Sequence, residues 1–561
     1  MAKELEAEVD AEGRTLLSIR GAALTGMGLA LHAKASPDRM AIVDATGSHS
    51  FGQLNARANQ IVRALRAQGL VAGDGVALFC SNRVEFVEVY AATLRGGFRL
   101  TPINWHLTAA EVGYIIDNCE AKAFFVDADF AAVAYDAAKE APGLIAKVAI
   151  GGNISGFEGH EALCGGQSSS DLEDPTLGNS MLYTSGTTGR PKGVYRRGAT
   201  QSSISVPVIA TAEFDPATDV TLVTGPLYHA APLAINLALP LMMGVGCVLM
   251  ETWDAKQALA LIETHSVSHS HLVPTMFHRL LSLDEATRAK YDLSSLRWIV
   301  HGAAPCPNHV KSAMIEWWGP ILYEYYAATE GGGFWIDSHE WLKKPGSVGR
   351  ADSSRFTMQI QDESGEEVPG GDIGTVYFKA PEHRFEYFKA PEKTASAYRG
   401  DYYTMGDLGR LDDEGYLFLT GRTAELIISG GVNIYPAEVD AVLLLHPAVG
   451  DAATVGVPND EWGEEVRAVV ELSVGIEVSA ALEAELIAFC REHLAGYKCP
   501  RAVEFVTDLP RLDSGKIQRA KVRDRYLLSE SYKVFALDGS GGRSSQRPRI
   551  KLAPSHIVRA M

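Results

Sequence analysis

Apolar strand-like runs alternate with amphipathic helical stretches from about residue 54 to residue 325. That alternation constrains the fold of this chain more than any other feature. Leu54, Ala58, Ile61, Val62 and Leu65 share one helical face. Val76 to Phe79 reads as a short apolar strand, and a helix follows from Val84 to Leu94. A Thr-x-x-Glu pair, Thr108 and Glu111, opens a helix that runs to Cys119. Further strands are predicted at Ala121 to Val126, Val148 to Ile150, Val220 to Thr224, His271 to Val273, Leu296 to Val300 and Ile321 to Tyr325. Repeated strand–helix alternation predicts α/β layers with largely parallel sheets.

From about Phe356 the texture changes. Short strands are separated by Gly-rich turns at Glu363-Ser364-Gly365-Glu366, Pro369-Gly370-Gly371 and Asp412-Asp413-Glu414-Gly415, which predicts a small β-rich subdomain. A Phe-Lys-Ala-Pro-Glu pentapeptide begins at Phe378 and again at Phe388, too few copies for a repeat architecture. Past Gly421 the α/β pattern returns, with a strand at Ala468 to Leu472, a helix at Ser479 to Leu494 and a strand at Ala502 to Phe505.

At 561 residues the chain exceeds one ordinary core, so two or more domains are expected. A hydrophobic content of 46% predicts a soluble globular protein. The net charge of −18 argues against a general nucleic-acid binder but leaves room for a local phosphate site. The seven cysteines are scattered and never spaced C-x-x-C, so neither a zinc site nor a disulfide framework is expected, and a reducing cytoplasm fits best. The acidic N-terminus has no signal-peptide pattern. Ala230 to Met250 carries no charge, but Asn236, Pro240, Gly244 and Gly246 interrupt it. It reads as a buried helix, a Gly turn and a buried strand rather than a membrane span.

The chemistry starts at Tyr183-Thr184-Ser185-Gly186-Thr187-Thr188-Gly189-Arg190-Pro191-Lys192-Gly193. Such a loop can surround a polyphosphate with backbone N–H groups, hydroxyls and one ammonium. It is not a Walker A loop, because Pro191 stands where that motif needs Gly. Six further motifs follow in order. They are Gly225-Pro226-Leu227-Tyr228-His229-Ala230-Ala231; His301-Gly302-Ala303-Ala304-Pro305; Tyr325-Tyr326-Ala327-Ala328-Thr329-Glu330; Tyr403-Thr404-Met405-Gly406-Asp407; a run from Arg422 through Ser429-Gly430-Gly431; and Pro510-Arg511-Leu512-Asp513-Ser514-Gly515-Lys516.

Together the seven motifs resemble those of the adenylate-forming superfamily, and of its acyl-CoA synthetases in particular. The resemblance implies a large N-terminal domain of layered α/β subdomains plus the small β-rich subdomain (residues 1–421), followed by a small mobile α+β C-terminal domain (422–530). A flexible tail, 531–561, is basic through Arg543, Arg547, Arg549, Lys551 and Arg559. By resemblance, Thr184, Ser185, Gly186, Thr187, Thr188, Gly189 and Lys192 bind the ATP phosphates. Gly302, Ala303 and Ala304 pack on adenine with Tyr325 and Tyr326, and Thr329 donates to the α-phosphate. Glu330 is a Mg²⁺ ligand. Asp407 and Arg422 hold the ribose. Ser429, Gly430 and Gly431 line the CoA tunnel. His229 stands beside the substrate carboxylate, in an acyl pocket shared with Ala230, Ala231 and His301. Lys516 is the adenylation lysine, so Lys516, Glu330, Thr184 and His229 form the catalytic set. Ala327, Met405, Ala424 and Leu512 depart from the usual residues at their positions.

The resemblance implies ATP-dependent activation of a hydrophobic carboxylic acid, expected to be a medium- or long-chain fatty acid, as acyl-AMP and then as acyl-CoA. The cofactors and co-substrates are ATP, Mg²⁺ and CoA, and a homodimer is the assembly to test. Three alternatives stay open: a ligase that loads a separate carrier protein, a luciferase-like oxygenase, and a nucleotide-binding regulator with a degenerate site. Lys516, Glu330 and Asp407 argue against the last.

Overall fold

The structure is a computed structural model. It describes residues 21–22, 24–184, 191–197, 211–350, 357–430, 432–459, 462–512 and 515–526. The N-terminal part is built on two helix-covered sheets. In the six-stranded sheet Gly75–Phe79 is flanked in parallel by Arg99–Pro102 and Ala121–Asp127, with Ala146–Ile150 beyond. A strand buried on both faces must be apolar on both, and Gly75–Phe79 shows how that is used. Val76 and Leu78 pack with Leu54, Ile61, Val62 and Leu65 of the helix Phe51–Ala67. Ala77 and Phe79 pack with Val112, Ile115 and Ile116 of the helix Ala109–Asn118 on the other face. The predicted cap of that second helix is present, with the Thr108 N–H donating to Glu111 at 2.9 Å.

The eight-stranded sheet has the order Gly331–Asp337, Leu322–Ala328, Trp298–His301, His269–Leu272, Val220–Val223, Gly246–Leu249, Met40–Asp44, Gly47–Ser50. Its six inner strands are parallel and its two edge strands antiparallel. One face carries Leu222, Val248, Leu272, Ile299 and Leu322 beneath the helices Ala255–His265, Pro274–Leu281 and Asn308–Trp318. The other face carries Val223, Cys247 and Leu249 in the same cluster as Val76, Leu78 and the helix Phe51–Ala67. One helical layer therefore serves both sheets, giving an α-β-α-β-α stack.

The uncharged stretch from Ala230 onward folds as read from the sequence. A π-helix at Pro232–Ala238 runs into a helix at Leu239–Met243, Gly244 turns the chain at φ 81°, and Gly246–Leu249 is a fully buried strand. Among the described residues no helix is long and apolar enough to cross a membrane.

The β-rich region is an antiparallel sheet of Met358–Gln361, Gly374–Lys379, Tyr398–Arg399, Tyr402–Leu411 and Leu417–Arg422. The two Phe-Lys-Ala-Pro-Glu copies take different structures, the first ending a strand and the second turning at Lys389 with φ 56°. The next sheet begins at Ile427–Ser429, and its long hairpin, Val449–Asn459 with Gly463–Leu472, is packed by helices Pro436–Leu443 and Ala480–His493. The basic tail lies outside the described residues.

Candidate active site

The phosphate loop is the tip of a hairpin. Strands Leu182–Thr184 and Lys192–Tyr195 pair antiparallel, with Thr184 directly opposite Lys192. Ser185, Gly186, Thr187, Thr188 and Gly189 lie outside the described residues. The Lys192 ammonium sits over the Tyr387 ring at 4.8 Å. Partial burial, then Lys393, pulls its pKa down, while Glu330 opposes.

Thr329 and Glu330 form the turn between strands Leu322–Ala328 and Gly331–Asp337. The Glu330 carboxylate accepts from the Tyr387 hydroxyl at 2.9 Å, and its backbone carbonyl accepts from Arg196. The glycines that follow make a close joint: the Gly332 N–H donates to the Tyr403 hydroxyl at 2.6 Å, and Gly331 has φ 132°. Tyr403 precedes Asp407 on the same strand, so the joint ties the Glu330 turn to the Asp407 strand. Among the described residues no three His, Cys, Asp or Glu side chains cluster as a metal site. A single carboxylate is still a sufficient protein contribution for Mg²⁺, which takes one or two carboxylates with substrate phosphate oxygens and water.

Asp407 is buried and held from two sides. Tyr326 Oη donates to Oδ2 at 2.7 Å and Arg422 Nε to Oδ1 at 2.9 Å. The Tyr326 ring lies parallel to Phe334, with centroids 6.2 Å apart. Each carboxylate oxygen keeps a lone pair for a further donor. Such a fixed acceptor pair suits a vicinal diol.

Lys516 arrives from the C-terminal domain on a short turn. Leu512 N–H donates to the Lys516 carbonyl at 2.8 Å, and Gly515 N–H to the Leu512 carbonyl at 2.7 Å. Arg511 anchors the turn to Asp451, and Arg519 bonds Asp440 at 2.5 Å and Glu425 at 3.2 Å. Gly515 has φ 78° and packs so closely on the N-terminal domain that a side chain there would run into the Thr275 hydroxyl. Burial first, then the Arg422 charge, brings the Lys516 ammonium down to about 8, with Glu425 and Asp407 opposing. Residues far apart in sequence, Asp407, Arg422 and Lys516, thus share one electrostatic site.

Segment Gly302-Ala303-Ala304 follows the strand Trp298–His301. Ala303 adopts φ 67°, a left-handed conformation rare for a residue with a Cβ. Gly302 is small for a reason the sequence did not reveal: a Cβ there would lie 2.6 Å from both the Tyr325 carbonyl and its ring. The ring that approaches this glycine is the protein's own.

His229 begins the helical turn, its carbonyl accepting from Leu233 N–H at 3.1 Å, and Ala230 and Ala231 follow half-exposed. His301 does not join them. On its strand Trp298 and Val300 face the π-helix side of the sheet, whereas Ile299 and His301 face the opposite helices. His301 is fully buried against Phe277 and the Lys311–Glu324 ion pair, which closes at 2.6 Å. Burial and the Lys311 charge keep it neutral. Its expected place in the acyl pocket is corrected by strand alternation: a neighbour in sequence points to the other face.

Ser429 ends the first strand of the hairpin Ile427–Ser429 with Val432–Ile434, and Gly430 makes the turn with φ 58°. Gly430 N–H donates to the Trp462 carbonyl at 2.7 Å, and the indole covers its α-carbon. Gly431 lies outside the described residues. Ala424 sits exposed in the turn Thr423–Glu425 between the two sheets. Sequence reasoning missed Tyr387, Arg196, Thr275, Trp462 and His271, all outside the motifs. Only contact in space identifies them.

A nucleotide-suited site closed by a lysine from a second domain, on an α-β-α-β-α stack, is the arrangement of adenylate-forming enzymes. Family comparison agrees. The AMP-binding enzyme family matches residues 29–387, and the AMP-binding enzyme C-terminal domain matches residues 438–516. The chain belongs to this family and is an AMP-forming acid–thiol ligase. It is similar to a long-chain-fatty-acid–CoA ligase of Mycobacterium tuberculosis, 32% identical over 491 residues, covering 85% of this chain and 93% of that protein. It is equally similar to a feruloyl-CoA synthase of an Amycolatopsis species, 32% over 498 residues, covering 88% and 97%. Among solved structures it resembles an anthranilate CoA ligase in complex with anthranoyl-AMP, with TM-score 0.80, 27% identity and coverage of 90% and 98%.

Proposed function

We propose that this chain is an ATP-dependent acyl-CoA synthetase that activates a hydrophobic carboxylic acid in two half-reactions. The observation that carries this reading is the enclosure of Lys516 beside Asp407 and Arg422. In the first half-reaction a substrate carboxylate oxygen bonds to the α-phosphorus, the bond to the β-phosphate oxygen breaks, and pyrophosphate leaves. Lys516 neutralises charge on the carboxylate and α-phosphate, and Lys192 and Thr184 hold the phosphates. Asp407 accepts from the ribose hydroxyls, with Tyr326 and Arg422 fixing its orientation. Glu330, steadied by Tyr387, would hold Mg²⁺, whose charge offsets that of the phosphates when bound. In the second half-reaction the small domain turns about the segment near Ala424, withdraws Lys516 and presents Ser429 and Gly430 to CoA. The thiol sulfur bonds to the acyl carbon, AMP leaves with the anhydride oxygen, and the thiol proton passes to solvent.

The medium- or long-chain fatty acid is an expectation from the family resemblance, and the apolar run after Ala231 is largely spent on core packing: Leu233, Leu237, Leu239 and Leu241 are all buried. It therefore gives no preference for an alkyl chain over an aryl group. Mass spectrometry of products from ATP, Mg²⁺ and a panel of acids, with and without CoA, tests the proposal. Acyl-CoA with release of AMP is the expected product. Acyl-AMP that persists in the presence of CoA would favour the carrier-loading ligase. Size-exclusion chromatography of the same sample tests the homodimer.

A further inference from the structure

His271 lies on the strand His269–Leu272 and faces the π-helix side of the sheet, the face that carries Val300 and Tyr325. It is buried, with 1% of its surface exposed. Its Nε2 is 3.1 Å from the Tyr325 hydroxyl, and its Nδ1 has no hydrogen-bond partner among the described residues. Burial, helped by nearby His229, brings its pKa down to about 3, so the ring is neutral. The π-helix above carries Asn236, whose amide donates to the Leu222 carbonyl at 3.2 Å while its buried Oδ1 also lacks a partner among the described residues. π-helical turns recur at functional sites, and buried polar atoms left unsatisfied in a native fold call for a partner.

We propose that His271 and the Tyr325 hydroxyl form a hydrogen-bonding end wall of the acyl pocket, and that the preferred acid is a compact aryl acid with a ring hydroxyl or amino group. The inference rests on the acyl-adenylating function proposed above. Tautomer arithmetic supports the class of group. If Tyr325 donates to Nε2, then Nδ1–H is left as a donor and the phenol oxygen as an acceptor. If Nε2–H donates to Tyr325, then Nδ1 is left as an acceptor and the phenol as a donor. Either way the pair leaves one donor and one acceptor, on opposite sides of the imidazole, and a hydroxyl or amino group, which both donates and accepts, can bond whichever of the two it meets. The compact size follows from what stands behind. The Tyr325 ring presses on Gly302, and the sheet face beyond is filled by Trp298, Tyr323 and Trp335, with ring centroids 5.5 to 6.0 Å apart. A long alkyl chain directed at this wall would have to displace those rings.

The experiment is ATP–pyrophosphate exchange without CoA, using benzoic and cinnamic acids, their ring-hydroxylated and aminated derivatives, and medium- and long-chain saturated acids. A substituted aryl acid should exceed its unsubstituted parent by roughly tenfold or more in kcat/KM, since a site built to bond a polar group rejects the analogue lacking it. Tyr325→Phe keeps the ring on Gly302 and removes only the hydroxyl, and it should bring that ratio down to about threefold or less. His271→Gln should shift the preference among hydroxyl and amino derivatives. Active exchange with equal rates for substituted and parent acids, a ratio unmoved by Tyr325→Phe, or a preference for long saturated acids would each overturn the proposal while leaving the synthetase reading intact. No exchange with any acid would overturn that reading, and this inference with it.

Discussion

Lys516 shows how much chemistry depends on where one side chain is held. An exposed lysine is charged far above neutrality, but enclosure next to Arg422 brings this one down to about 8. The charged form is needed to neutralise the carboxylate and α-phosphate, and it is populated below that pKa and lost above it. The kcat/KM for adenylation should therefore fall as pH rises through about 8. Lys516→Arg, charged throughout, should flatten that limb. Lys516→Ala should lower pyrophosphate exchange by about 10²- to 10³-fold while sparing thioester formation from supplied acyl-AMP. Normal exchange in the alanine variant would remove Lys516 from the mechanism. His301 marks the opposite outcome, a motif histidine used as neutral core beside the Lys311–Glu324 pair.

The site is assembled at the level of elements from two hairpin turns and one strand. The turn carrying Glu330 is held by Tyr387, from the two-residue strand Glu386–Tyr387 that pairs with the strand carrying Lys192. Tyr387 thus links the phosphate-loop hairpin to the Glu330 turn. Removing its hydroxyl in Tyr387→Phe should leave the fold intact, because the ring keeps its packing on Phe385. It should raise the Mg²⁺ concentration for half-maximal exchange by roughly tenfold, the usual scale for losing an outer-sphere partner of a metal ligand. An unchanged Mg²⁺ titration would show that Glu330 needs no such support. The motifs named Glu330 and Lys192 but gave no hint of Tyr387, since a two-residue strand has no periodicity to read.

Across the whole molecule the structure has Lys516 closed onto the N-terminal domain, and the fit is tight at Gly515 against Thr275. Gly515→Val would bring a branched side chain to a positive φ and into the Thr275 hydroxyl. The variant should slow pyrophosphate exchange by about tenfold or more, with conversion of supplied acyl-AMP and CoA to thioester affected far less, because only closure is obstructed. Equal loss in both half-reactions would indicate damage to the small domain instead. The Gly430 turn is covered from within the small domain: its indole lid, Trp462, stands just before the strand Gly463–Leu472, whose first residue pairs with Ser429.

Sequence alone determined the α/β layering, the β-rich insert and the strand at Cys247, since hydrophobic period and turn chemistry are local properties written in adjacent residues. Asp407, Arg422 and Lys516 entered through the resemblance of their motifs to those of the family. Tertiary structure decided what adjacency cannot encode. It turned His301 away from Ala230 and Ala231 by strand alternation, set Gly302 against Tyr325, and gave Glu330 to Tyr387. It also left His271 facing the π-helix side of its sheet with a ring nitrogen unbonded among the described residues. Those outcomes depend on which face of a sheet a residue takes and on partners some twenty to sixty residues away, and no local pattern carries either.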